Sequence, residues 1–152
     1  MPYSDINRVI EQDLTEITNV WEASVRATHH FLKEEDIRFF KSQIANYIHK
    51  VEAFCIKNTD NNIVGFIGIA DKNIEMLFIH PSERGKGLGK KFLHFAFDQF
   101  DANKVDVNEQ NEQALFFYQK MGFTIVCRDE LDGSGKPYPI LHLKLSQQNK
   151  EM

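Results

Sequence analysis

The stretch Asn73–Lys91, NIEMLFIHPSERGKGLGKK, leaves little freedom in how this chain can fold. Ile74, Met76 and Phe78 alternate with Glu75, Leu77 and Ile79, and nearly all of the run is apolar, which suits a strand covered on both faces. Pro81 lacks the N–H that a ladder needs, so it closes the strand. Arg84-Gly85-Lys86-Gly87-Leu88-Gly89 comes next, with Lys90 and Lys91 behind it, and a helix is expected to begin at once. The glycines allow close approach of a ligand to the backbone and leave N–H groups uncovered. The helix start adds its own unpaired N–H groups and the positive end of its dipole. Together with the basic side chains, the segment is suited to hold a phosphate or pyrophosphate. A glycine-rich turn that binds nothing is the competing reading.

Spacing narrows the kind of loop. A Walker A loop needs G-x-x-x-x-G-K-[ST], but Gly85 and Gly89 stand too close and Lys90 is followed by Lys91. A dinucleotide fingerprint needs G-x-G-x-x-G, and this chain has G-x-G-x-G. The pattern that fits is [RQ]-x-x-G-x-[GA] after a strand ending in Pro. It resembles motif A of the GNAT superfamily, the Gcn5-related N-acetyltransferases. The run NEQNEQALFFYQKMGF, Asn108–Phe123, resembles motif B of the same family at Asn111, Ala114, Phe117, Tyr118, Gly122 and Phe123. The resemblance covers about Ile6 to Leu145. It is closest to the YjaB-like bacterial branch, through Ala27–Leu32 (ATHHFL), Val107–Ala114 (VNEQNEQA) and Gly135–Pro139 (GKPYP).

The remaining chain is consistent with one domain, residues 1–146, followed by a polar tail, 147–152. Hydrophobic residues make up 42% and charged residues 26%, the balance of a globular core rather than a disordered chain. Net charge is −4, from 18 Lys and Arg against 22 Asp and Glu, which argues against a general nucleic-acid binder. No stretch approaches the ~20 apolar residues of a membrane span, and MPYSDINRVIEQ has no basic-then-apolar signal region. A cytoplasmic location without membrane association is expected. Cys55 and Cys127 each lie in an apolar strand-like run. Two buried free thiols are expected, with a disulfide as the weaker alternative. No Cys/His cluster has zinc spacing, so no metal is expected.

Periodicity predicts an edge strand at Ser4–Ile10, then a helix capped by Asp13 or Thr15 that runs to about Ala27. A second helix is expected over about Lys33–Ile48, with an acidic first turn. A hairpin, Ala53–Lys57 and Ile63–Asp71, carries Gly65 and Gly68, which suggest a bulge or a close backbone neighbour. After the central strand come a helix Leu88–Phe100, a strand Lys104–Val107 and a helix Asn111–Met121 stopped by Gly122. Strands Thr124–Arg128 and Ile140–Leu145 close the chain around a long loop, Leu131–Pro139. The order β-α-α-β-β-β-α-β-α-β-β implies an α/β domain, a mixed sheet with helices on both faces. The family resemblance implies the same order.

The resemblance implies an acetyl-CoA-dependent N-acetyltransferase acting by direct transfer to a primary amine of a small molecule, a peptide N-terminus or a lysine. It places the pyrophosphate on backbone N–H groups of Arg84, Gly85, Lys86, Gly87, Leu88, Gly89 and Lys90. It places the pantetheine and thioester on backbone groups of Leu77, Phe78 and Ile79, freed by a bulge and by splaying from the next parallel strand. Tyr118 is the candidate acid for the leaving thiolate; its bland alternative is a core tyrosine. Asn111 either bonds the coenzyme arm or caps its helix. Glu75 is the one carboxylate on the central strand, sharing a face with Leu77 unless a bulge intervenes; it is either a base acting through water or a solvated strand-end charge. Some family members place a base slightly earlier, where this chain has Asn73. Trp21, His29, His30, Tyr138 and His142 are candidates for acceptor recognition. The alternative to an enzyme is a coenzyme A-binding sensor or scaffold without turnover. A monomer or homodimer is expected.

Overall fold

The computed structural model describes residues 3–146; the expected tail from Gln147 lies outside the described residues. The elements are β1 (Asn7–Arg8), α1 (Leu14–Thr28), α2 (Glu34–His49), β2 (Glu52–Lys57), β3 (Ile63–Ala70) and β4 (Asn73–Ile79), then α3 (Leu88–Phe100), β5 (Lys104–Asn108), α4 (Glu112–Lys120), β6 (Phe123–Asp129) and β7 (Ile140–Leu145). They form one seven-stranded sheet in the order β1-β2-β3-β4-β5-β7-β6. Among the described residues only β4 and β5 pair in parallel; the other pairs are antiparallel. Among the described residues no helix is long and apolar enough to cross a membrane.

The sheet divides two cores. Ala53 and Cys55 of β2 join Ile17, Val20 and Trp21 of α1 and Ile44 of α2 on one face. Phe54 and Ile56, one residue out of phase, join Phe92, Leu93 and Ala96 of α3 on the other. That is the period of two expected of a strand between two helical layers. The whole of β3 apart from its last residue is buried, as its unbroken apolar run requires.

Three expectations need correction. The first strand is only Asn7–Arg8, paired with Cys55 and Phe54, because the chain turns away into a 3-10 turn at Glu11–Asp13. Asp13 does stand at the N-cap of α1, but its carboxylate accepts the Ile10 N–H instead of a helix N–H. Cys127 is exposed, whereas Cys55 is buried and its thiol is pushed up to about 11 by burial. Because β6 is the sheet edge, everything on it beyond Phe123 faces solvent. Both cysteines are free.

Beyond the pair Ile74–Val105, β4 and β5 lose their ladder and splay. On its other side β4 carries a bulge: Met76 pairs Gly68 and Ile74 pairs Ile69, leaving Glu75 as the extra residue. Gly68 borders that bulge, so the bulge reading of this glycine holds; its close neighbour is a side chain and not backbone, since a Cβ there would lie 2.8 Å from Val51 Cγ2.

His142 on β7 bridges its two neighbouring strands. Its Nδ1 lies 2.6 Å from Asp106 Oδ1 on β5 and its Nε2 2.7 Å from Asp129 Oδ2 on β6. The bond to Asp129, then that to Asp106, raises its pKa above the usual histidine value. A raised folded-state pKa stabilises fully below the unfolded value, about 6.5, and the gain disappears as pH rises through the folded pKa. His142→Gln is therefore expected to lower unfolding stability by about 1 kcal/mol near pH 6, solvent screening included. The difference should shrink steadily toward alkaline pH. Urea unfolding of both proteins across that range measures it, and a pH-independent difference would contradict the ion-pair account.

Candidate active site

The chain leaves β4 through a 3-10 turn, Pro81–Glu83, in which the His80 side chain accepts the Ser82 N–H. Gly85 and Gly87 take φ of +75° and +82°, the left-handed region that glycine enters without strain. Gly87 is the N-cap of α3 and supplies no side-chain cap. The first α3 N–H with a backbone partner is that of Lys91, which donates to Gly87 O at 3.0 Å. The N–H groups of Gly85 to Lys90 thus remain for a ligand, at the positive end of a 13-residue helix. Gly89 acts through packing instead. A Cβ there would stand 3.3 Å from Phe117 Cζ, so its absence lets α3 and α4 close together.

α4 brings Asn111 and Tyr118 to the same place. Asn111 caps the helix, its Oδ1 accepting the Ala114 N–H at 3.2 Å, and so the capping reading holds. Its amide NH2 is left without a partner among the described residues. Tyr118 is 6% exposed, edge-on to Phe117 and Phe123. Burial raises its pKa further above the ordinary phenol value, which keeps the hydroxyl protonated. That hydroxyl has no partner among the described residues.

Two cavities flank β4. One cavity, of about 370 Å³ and called donor-side after the coenzyme expected there, has Leu77, Phe78, Ile79, Arg84, Gly85, Gly87, Leu88, Gly89, Lys90, Asn111 and Tyr118 in its walls. Of the expected site residues, Lys86 and Glu75 stand outside it; Lys86 reaches Glu83 at 3.5 Å instead. An acceptor-side cavity of about 490 Å³ lies between α1, α2 and the β6–β7 loop, with Trp21, Phe40, Tyr47, Glu75, Met76 and Tyr138 among its walls. His29 and Phe78 line both. Among the described residues no three His, Cys, Asp or Glu side chains are grouped to hold a metal ion.

Residues 26–137, more than half of the chain, match the acetyltransferase (GNAT) domain family. The chain belongs to the GNAT family. As a GNAT protein it is an N-acetyltransferase that takes its acetyl group from acetyl-CoA, and the loop, the free N–H groups and the donor-side cavity fit that donor. It is 35% identical over 138 residues to the peptidyl-lysine N-acetyltransferase YjaB of Escherichia coli (strain K12), covering 91% of this chain and 94% of that protein. The solution structure of apo YjaB from Escherichia coli superposes with a TM-score of 0.86, over 95% of this chain and 97% of that one. The PaiA N-acetyltransferase of Thermoplasma acidophilum, solved with coenzyme A, shares the GNAT fold at a TM-score of 0.72 and 21% identity, over 96% of this chain and 99% of that one.

The bulge changes where the Glu75 carboxylate sits. Glu75 does not share a face with Leu77: Glu75 and Met76 both line the acceptor-side cavity, and Leu77 lines the donor side. Two successive residues face the same way because the bulge interrupts the alternation. Partial desolvation, with Asp106 and Asp71 nearby, raises the Glu75 pKa. Asn73, unable to act as a base, holds Glu75 in place by donating its amide to Oε2 at 2.7 Å.

Of the acceptor-recognition candidates, Trp21, His29 and Tyr138 line the acceptor-side cavity. His30 is exposed and His142 is taken up by its ion pairs. Tyr138 also anchors the β6–β7 loop: its hydroxyl donates to Asp36 of α2, and Lys136 Nζ lies 2.9 Å from the same carboxylate. Asp36 was legible only as part of an acidic first turn. Thr28 and Gln113, which line the donor-side cavity, had no sequence signal of their own.

Proposed function

We propose that acetyl-CoA lies along Arg84–Lys90 and Tyr118, and that a lysine side chain of a peptide enters through the acceptor-side cavity. The observation that carries this reading is that the two cavities share His29 and Phe78 in their walls, beside the unpaired edge of β4. The relatives named peptidyl-lysine N-acetyltransferases support lysine as the acceptor. In this reading the amine nitrogen attacks the thioester carbon, a free β4 N–H stabilises the carbonyl oxygen, and the C–S bond breaks. Tyr118 gives its proton to the sulfur, and the nitrogen releases one.

The test is release of free coenzyme A thiol from acetyl-CoA with lysine-containing peptides and with small amines. Peptide-dependent release and peptide acetylation seen by mass spectrometry are the expected results. Release with small amines only would move the acceptor to that class. Thermal stabilisation by acetyl-CoA without release for any amine would favour a coenzyme-binding protein without turnover.

Glu75 is proposed to take the ammonium proton through water before attack. Glu75→Gln should lower the rate at neutral pH and leave acetyl-CoA affinity unchanged. A carboxylate must be ionised to accept, so the parental rate should fall as pH drops through the raised Glu75 pKa. The variant should lack that acidic limb; a variant keeping the parental profile would remove Glu75 from the reaction.

A further inference from the structure

We infer that His29 receives the attacking amine: its Nε2 accepts a hydrogen bond from the neutral amine and takes the proton that nitrogen sheds as the amide forms. The inference rests on the transfer reading above. His29 is the C-cap of α1, its N–H donating to Val25 O at 2.7 Å and its carbonyl accepting from Leu32 N–H at 3.0 Å. Its ring is held by Phe31 at 5.2 Å and is 7% exposed. This buried polar side chain is therefore fixed in the wall that both cavities share.

The protonation pattern of the ring follows from its neighbour. Thr28 Oγ1 lies 2.9 Å from Ser24 O and 2.8 Å from His29 Nδ1. A carbonyl can only accept, so the single hydroxyl proton of Thr28 goes to Ser24 O. The contact with Nδ1 is then a hydrogen bond only if Nδ1 carries the proton. Nε2 is left with a lone pair and, among the described residues, with no partner. It also keeps some access to solvent, since Asn103 Oδ1 is the one fully buried side-chain polar atom without a partner among the described residues. That access lies toward the cavities, so the lone pair is open to an N–H placed there.

The chemistry suits a weak base. Burial, with the Arg84 guanidinium near, lowers the His29 pKa to about 4, so the ring is neutral at neutral pH and can accept. The proton of the free ammonium group is assigned instead to the water-mediated path proposed for Glu75. As the C–N bond forms and the C–S bond breaks, the nitrogen becomes that of an N-protonated amide, which is far more acidic than an ammonium. A weakly basic imidazole is sufficient at that stage. One proton passes from nitrogen to Nε2, one passes from Tyr118 to sulfur, and the products are the N-acetyl amide and coenzyme A thiol. Solvent in the acceptor-side cavity then relieves Nε2 of its proton.

His29→Ala, His29→Gln and Thr28→Val test this with acetyl-CoA and Nα-acetyl-lysine amide as the probe amine. His29→Ala should lower kcat/KM for the amine roughly tenfold or more, the worth of one hydrogen bond to a reacting group. Acetyl-CoA affinity should fall clearly less than the amine kcat/KM, because His29 also lines the donor-side cavity but makes its hydrogen bond to the amine. His29→Gln, whose amide oxygen can accept but not take up a proton, should restore the amine KM and leave kcat low. Thr28→Val should fall between parent and His29→Ala, because the ring loses its tautomer lock. An independent readout is the long-range ¹⁵N–¹H spectrum of the imidazole: the parent should show the Nδ1-protonated tautomer, and Nε2 should shift when the amine joins the coenzyme A complex. Parental kcat/KM in folded His29→Ala, or an Nε2-protonated ring in the parent, overturns the inference. Equal loss of amine and acetyl-CoA affinity in His29→Ala makes the residue a packing element and also overturns it. Absence of thiol release in the parent overturns the transfer reading instead, and the tautomer measurement still judges the geometry.

Discussion

Replacing Gly87 with Asp is expected to lower acetyl-CoA affinity roughly 10²- to 10³-fold while the protein stays folded. A carboxylate placed about 4 Å from a phosphate costs on the order of 4 kcal/mol at the effective dielectric of a protein surface, before screening by salt and by the neighbouring cations. Gly87 sits at φ +82°, and a Cβ added there meets no atom within 4 Å, so the new side chain enters the loop and not the core. Asp is among the L-residues that tolerate this backbone region best. The cost should therefore fall on binding and little on folding. Titration calorimetry with acetyl-CoA, beside a circular-dichroism melt, measures both. Unchanged affinity in a folded variant would place the pyrophosphate elsewhere.

Tyr118→Phe should reduce kcat by roughly 10²-fold, the lower end of the range for general acid catalysis. The ring is wedged edge-on between Phe117 and Phe123, so removing one oxygen alters almost no packing. The hydroxyl has no protein partner to lose among the described residues, and the melting temperature should hold. Acetyl-CoA affinity should change by less than about 1 kcal/mol, one ordinary hydrogen bond. Since the deficit lies in protonating the thiolate, an acyl donor with a more acidic thiol should recover much of the rate. Near-parental turnover of acetyl-CoA would reduce Tyr118 to a core residue and give the protonation to water.

Much of the proposed coenzyme site was legible in the chain because the groups assigned to it are largely backbone groups. Glycines at 85 and 87, a Pro-ended strand before them and a helix directly after them define the proposed phosphate cradle through local conformation alone. The burial of β3 on both faces was likewise visible as an apolar run, and α3 came out with its expected limits, Leu88–Phe100. Tyr118 was visible because its helix is bounded by Asn111 as cap and Gly122 as stop, which sets the helix face.

What escaped the sequence depends on partners distant along the chain. A bulge is a mismatch between two strands, so the displacement of Glu75 to the acceptor side exists only once β3 and β4 pair. Cys127 sits in an apolar run that reads as buried, yet it is exposed because β6 is the sheet edge, a matter of strand order. The β6–β7 loop becomes a cavity wall through Asp36, some hundred residues earlier in the chain. His29 follows the same logic: the chain alone puts a histidine at the end of α1, next to Thr28. That this ring is buried in the wall shared by the two cavities, with Nε2 unpaired among the described residues, came from the packing of the folded molecule. Local conformation is set by neighbouring residues, whereas burial and proton placement are set by what packs across the sheet.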